Sequence, residues 1–144
     1  MFKKIVWATD GSDSADKALA VAKMLAAEGG GELLAVHCEE WTLPGKGGGS
    51  VPIAANEEDL KSKIERQVSE LAGDGIKATL ETTRGSVGGA AHAIAEAAAS
   101  HEADAIVVGT RGHTPLAGLL VGSVPQRLLH IAPCPIIVVP ARQN

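Results

Sequence analysis

Tyrosine is absent from the 144 residues, and Phe2, Trp7 and Trp41 are the only aromatic side chains. Modules that stack nucleic-acid bases on aromatic platforms need such residues in quantity, so that class is excluded. Positive charge is not in excess either. The formal net charge is −4, which removes the electrostatic footprint of a nucleic-acid binder. Two cysteines, Cys38 and Cys134, do not make a disulfide framework. No apolar run approaches the roughly 18 residues of a membrane span. The opening run Ile5–Val6–Trp7–Ala8 is too short for a signal-peptide core. These absences lead to the expectation of a soluble cytoplasmic protein, with neither nucleic acid nor membrane among its partners.

Glycine is what the chain has in abundance, 17 residues, well above the usual share of about 7%. With 45% hydrophobic residues the composition is not that of a disordered chain. The glycines therefore suggest a compact fold in which backbone approaches something closely. The length fits one domain with a real core, expected to span residues 1–144.

Short apolar runs alternate with helical periodicity along the chain. Ile5–Thr9 reads as strand one. After Asp10–Gly11–Ser12–Asp13–Ser14, rich in turn and N-cap residues, Ala15, Ala18, Leu19, Ala22, Leu25 and Ala26 recur at helical spacing. Leu33–Val36 reads as strand two. Leu60, Ile64, Val68 and Leu71 form the buried stripe of a second helix. Ile76, Ala78 and Leu80 alternate with polar residues, which marks strand three as half-exposed and near a sheet edge. Val87 to His101 reads as an Ala-rich helix. Ala105–Val108 is a fully apolar strand four, and a loop runs from Gly109 to Gly122. Ser123 is expected to cap a last helix with Pro125 in its first turn, before strand five, Ile136–Val139.

Five strands alternating with four helices imply an open, mostly parallel α/β sheet covered on both faces. Strand one should lie beside strand four, with a crevice at their carboxyl ends where ligands bind in such sheets. Two loops converge there, Asp10–Ser14 and Gly109–Ser123.

The second loop reads Gly109-Thr110-Arg111-Gly112, nine residues, then Gly122-Ser123. Its chemistry is that of backbone. Glycines allow main-chain N–H groups to approach a phosphate, and a helix N-terminus favours an anion. The Ser123 hydroxyl can donate to a phosphate or cap its helix, and Arg111 and His113 add donors nearby. Tight turns alone are the alternative use for these glycines. A Walker A loop is missing, since Gly45–Lys46 is followed by Gly47. The dinucleotide fingerprint is missing after strand one as well.

The spacing Gly109-x2-Gly112-x9-Gly122-Ser123 resembles the ATP-binding motif of the universal stress protein family. The opening Lys4-Ile5-Val6…Thr9-Asp10-Gly11-Ser12, the Ala103–Gly109 segment and the closing Ala132–Val139 segment extend the resemblance over essentially the whole chain. It implies a Rossmann-like fold with strand order 3-2-1-4-5. By the same resemblance, Asp10 contacts the ribose or a phosphate-bound Mg²⁺ or Mn²⁺, and the Val36 backbone hydrogen-bonds adenine. Gly109, Gly112, Gly122, Ser123 and the Val124 amide form the triphosphate cradle, with Thr110, Arg111 and His113 as neighbours. A turn or helix-entry role is the alternative for Asp10, and a core role for the Val36 side chain.

Other chemistry is less well supported. His37, His92, His101, His113 and His130 show no metal spacing. Cys38 and Cys134 fall at opposite ends of a parallel sheet, out of disulfide reach. Ser12 and Ser14 lack a neighbouring base, which favours capping over nucleophilic chemistry. Strand five is an apolar edge, and such edges invite pairing. A homodimer joined through Ile136, Ile137, Val138 and Val139 is therefore expected, as in ATP-binding relatives. The resulting expectation is an ATP-binding, nucleotide-responsive regulator of a stress response. Any hydrolysis should be slow, because no catalytic base or Walker-type lysine is evident. An adenylating enzyme using Asp10–Ser14 as a phosphate loop, and a nucleotide-free interaction module, are the alternatives. The Gly-rich stretch at 45–49 has no assigned role.

Overall fold

The computed structural model describes residues 2–41, 57–86, 89–110 and 121–140. Strands and helices alternate as β1 (Lys4–Ala8), α1 (Asp13–Gly29), β2 (Glu32–Trp41), α2 (Glu57–Gly73), β3 (Lys77–Ser86), α3 (Ala90–Ser100), β4 (Ala105–Gly109), α4 (Ser123–Ile131) and β5 (Ile136–Val139). The five strands are parallel and lie in the order β3-β2-β1-β4-β5. This is the sheet anticipated from the sequence, with β1 between β2 and β4.

Successive residues of a strand point to opposite faces, so each central strand feeds two cores. Ile5, Trp7, Leu33, Ala35, Ala105 and Val107 meet Ala18, Ala22 and Ala26 of α1 and Leu71 of α2. Val6, Ala8, Val36, Ile106 and Val108 meet Ala91, Ile94 and Ala98 of α3 and Leu128 of α4. Helices α1 and α2 thus cover one face, and α3 and α4 the other. The winding reverses between β1 and β4, which opens a crevice at their carboxyl ends. Every residue of β4 is buried, as its unbroken apolar run requires. The Ala stripe of α1 leaves room for Trp7, which is fully buried. Its indole Nε1–H donates to the Ala15 carbonyl at 2.9 Å, so the one polar atom of that ring is satisfied.

Strand ends shift by a residue in places, and larger differences from the sequence reading fall at β2 and β3, α3 and α4. Strand two does not stop at Val36. β2 and β3 are each ten residues long and stay in register from Glu32↔Lys77 to Trp41↔Ser86. The outer half of this ladder carries polar residues, which hid it. Glu39 is buried there, and ion pairs with Lys61 of α2 and Arg84 of β3 compensate its charge. The Glu39 carboxylate in turn holds the Lys61 ammonium above its ordinary range. Helix α3 begins at Ala90 after Gly89, whereas the expected start, Val87, lies outside the described residues together with Gly88. The N-cap of α4 is Gly122 rather than Ser123, and it makes no side-chain cap.

Candidate functional site

The first loop of the crevice is built from Thr9 to Ser12. The Thr9 N–H donates to the Val36 carbonyl at 2.9 Å, prolonging the β1–β2 ladder by one bond. Its Oγ1 accepts the Gly11 N–H at 3.1 Å. Asp10 Oδ1 accepts the Ser12 N–H at 2.9 Å, and the Ser12 hydroxyl accepts from Ala15 N–H and caps α1. Asp10 Oδ1 thus takes part in the turn that leads into α1, and the Ser12 hydroxyl has the capping role. Gly11 has φ +79°, a left-handed conformation that glycine adopts without strain. Lys63 of α2 reaches across to donate to the Gly11 carbonyl at 2.9 Å and to the Asp16 carboxylate at 2.7 Å.

The second loop leaves β4 at Gly109. A Cβ there would lie 2.7 Å from the Ser14 carbonyl oxygen and 2.3 Å from its Oγ. Glycine at 109 is thus required by the close approach of the first turn of α1, a use the motif alone did not announce. The Thr110 N–H donates to Val139 O at 3.1 Å, and the Thr110 carbonyl accepts the Gly122 N–H at 2.6 Å. This last bond brings the start of α4 back to the end of β4. The Gly122 N–H is consequently engaged within the protein. The amides of Ser123 and Val124 have no acceptor inside their own helix, and Pro125 has no N–H. Among the described residues no backbone acceptor meets the amides of Ser123, exposed, and Val124, half-buried. Arg111, Gly112 and His113 lie outside the described residues.

Val36 is buried and does not end its strand. It marks the last rung of β1 on β2, opposite Ala8. The structure thus gathers Asp10, Val36, Gly109, Thr110, Gly122, Ser123 and Val124 around the carboxyl ends of β1 and β4.

His37 is one of the histidines for which the sequence shows no metal spacing. It is 3% exposed, its Nδ1–H donates to the Thr9 carbonyl at 2.9 Å, and its Nε2 contacts Oε1 of Glu57. No short-range signal links a histidine on β2 with the first residue of α2, because 19 residues separate them. Among the described residues no group of three or more His, Cys, Asp and Glu could hold a metal. No disulfide joins Cys38 to Cys134. Among the described residues no helix is long and apolar enough to cross a membrane.

Sheet order and crevice define an open Rossmann-like α/β fold with two helix N-termini at its topological switch point. The sequence model of the universal stress protein family matches residues 1–140, and the chain belongs to that family. A universal stress protein of Thermus aquaticus is 38% identical over 96% of this chain and 99% of its own length. Among solved structures, universal stress protein UspA of Lactobacillus plantarum superposes with a TM-score of 0.74, covering 95% of this chain and 97% of that one at 23% identity. A universal stress protein in complex with cAMP has a TM-score of 0.67 at 24% identity, covering 98% of each chain. One from Archaeoglobus fulgidus in complex with dAMP has 0.62 at 24% identity, covering 96% of this chain and 97% of that one. At such identities these likenesses establish the fold.

Proposed function

We propose that residues 1–144 act as one cytoplasmic domain that binds ATP between β1 and β4 and serves as a nucleotide-responsive regulator in a stress response. The observation that carries this reading is the Gly122–Thr110 bond. It sets the amides of Ser123 and Val124, which have no acceptor in their own helix, at the end of β4, beside the Asp10 loop, where a polyphosphate would meet a helix N-terminus. Family membership supports the reading, and so do fold neighbours that hold cAMP and dAMP.

In this arrangement the Ser123 and Val124 amides and the Ser123 hydroxyl take phosphate oxygens. Arg111, Gly112 and His113 belong to the same proposed cradle. The backbone near Val36 faces the adenine end. Asp10 is a single half-buried carboxylate, which suits Mg²⁺ or Mn²⁺ carried in on phosphates better than an all-protein cage. Such an ion would neutralise phosphate charge. Nothing among the described residues acts as a base on water there, so hydrolysis is at most slow. The half-buried edge strand β5 supports a homodimer through Ile136–Val139.

Equilibrium titration with ATP tests the site. Gly122→Val adds a branched side chain at the start of α4 and should weaken binding by about tenfold or more, the equivalent of one lost charge-assisted hydrogen bond. A folded Gly122→Val protein that binds ATP as tightly as the parent would overturn the assignment.

A further inference from the structure

Lys63 belongs to α2, a helix that lends nothing to the proposed phosphate cradle, yet its ammonium is bound into the loop that carries Asp10. We propose that Lys63 is a positioning residue of the nucleotide site, which sets the Asp10 carboxylate through the Gly11–Ser12 peptide. The inference rests on the ATP-binding reading above and extends that site to α2.

One peptide unit joins the two residues. Its carbonyl, that of Gly11, accepts from Lys63 Nζ at 2.9 Å. Its N–H, that of Ser12, donates to Asp10 Oδ1 at 2.9 Å. The peptide is trans, so its C=O and N–H point in opposite directions. Lysine and carboxylate therefore hold the same rigid plane from its two ends. The preceding peptide is fixed separately, because the Gly11 N–H donates to Thr9 Oγ1 at 3.1 Å. Gly11, at φ +79°, has no Cβ to hinder rotation of the plane between them. Without the ammonium that plane loses its hold at the carbonyl end. Rotation about the flanking bonds then takes the Ser12 N–H off the Asp10 carboxylate, and the carboxylate loses its fixed direction.

The ammonium is itself placed by more than the loop. Asp16 Oδ2, in the first turn of α1, accepts from it at 2.7 Å, and Gln67 Nε2 donates to Asp16 Oδ1 at 2.9 Å. Leu60, one turn before Lys63, packs on the same loop. A Cβ on Gly11 would lie 2.6 Å from Leu60 Cδ2. A partly exposed ion pair such as Lys63–Asp16 contributes little to stability. A charge-assisted bond to a carbonyl is stronger and directional. What the lysine adds is therefore orientation of the loop more than attachment of the helix. Its effect on ligand passes through Asp10, the group of this loop that would meet the ribose or a phosphate-bound cation.

Lys63→Met keeps an apolar stem and removes the donor. Hydrogen exchange of the ligand-free protein reads the peptide directly. The Ser12 amide should exchange about tenfold faster in Lys63→Met than in the parent, while the amides of Ala22 and Ala26 inside α1 keep their rates and report an intact fold. ATP titrations with Mg²⁺ then close a double-mutant cycle with Asp10→Ala. Lys63→Met should weaken binding by about fivefold in the parent and by less than about twofold in the Asp10→Ala background. A lysine that acts by packing, or by its charge on the phosphates, costs the same in both backgrounds. An additive cycle, or a Ser12 amide whose exchange does not change, overturns the inference and leaves ATP binding standing. A parent that binds no ATP overturns the reading on which the inference rests.

Discussion

Helices α1 and α2 cover the same face of the sheet and have 17 residues each, but different chemistry fastens them. α1 lies on the sheet through Ala18, Ala22 and Ala26, packed around Trp7. α2 buries Leu60, Ile64 and Leu71 and adds a polar seam. Along that seam Glu57 meets His37, Lys61 meets Glu39, Lys63 and Gln67 meet Asp16, and Asp74, just beyond the helix, meets Lys23. Apolar docking depends on area removed from water and is indifferent to proton concentration. A seam of charges responds to pH and salt. The fixed helix supplies the cap and first turn beside Gly109, while the conditional one holds the carbonyls of Thr9, through His37, and Gly11. The β1–α1 loop thus has one rigid and one adjustable support.

The largest expected effect tests the rigid side. Trp7→Ala should destabilise the protein by about 3–5 kcal/mol in urea unfolding, through the cavity left under α1. A loss below about 1 kcal/mol would show that α1 does not depend on that packing. Lys63→Met tests the adjustable side. Its ammonium is partly solvent-screened, so the cost should be about 1 kcal/mol or less, and the parent should lose most of that advantage in high salt. A salt-independent difference would assign the effect to the lysine's apolar stem. The smallest effect lies at the far end of the sheet, away from both helix seams. There the Asp104 carboxylate accepts the N–H groups of Lys4 and Lys3, each at 2.8 Å, and these hold it below its ordinary value of 3.8. A carboxylate lowered in the folded state stabilises the fold above its unfolded value, and that stability disappears as pH falls through the lowered one. Asp104→Asn should therefore flatten the acid limb of thermal stability below about pH 4 and leave neutral pH nearly unaffected. An unchanged acid limb would remove Asp104 from the account.

Much of the fold was legible in sequence because the pattern is local. Ala105–Val108 announces a buried strand by itself, and Leu60, Ile64, Val68 and Leu71 announce a helix stripe. The convergence of the Asp10 and Gly109 loops followed from alternation and the rule for switch points. The length of β2 did not, because Glu39 looks like a loop residue until Lys61 and Arg84 arrive from two other elements. Gly109 reads as a phosphate glycine, yet the constraint visible on it comes from Ser14, nearly a hundred residues earlier. Ser123 has the composition of a cap, but the Thr110 carbonyl makes Gly122 the cap residue.

The sequence by itself determined the order of elements, the two apolar faces, the edge positions of the third and fifth strands and the place of the crevice. Periodicity and turn chemistry act over a few residues, and those features need nothing more. Tertiary structure alone decided that the Gly122 N–H is taken by the Thr110 carbonyl, why position 109 excludes a side chain, and that His37 stands between a carbonyl and a carboxylate. Each depends on atoms brought together from distant parts of the chain, and their hydrogen bonds and close contacts exist only once the sheet has assembled.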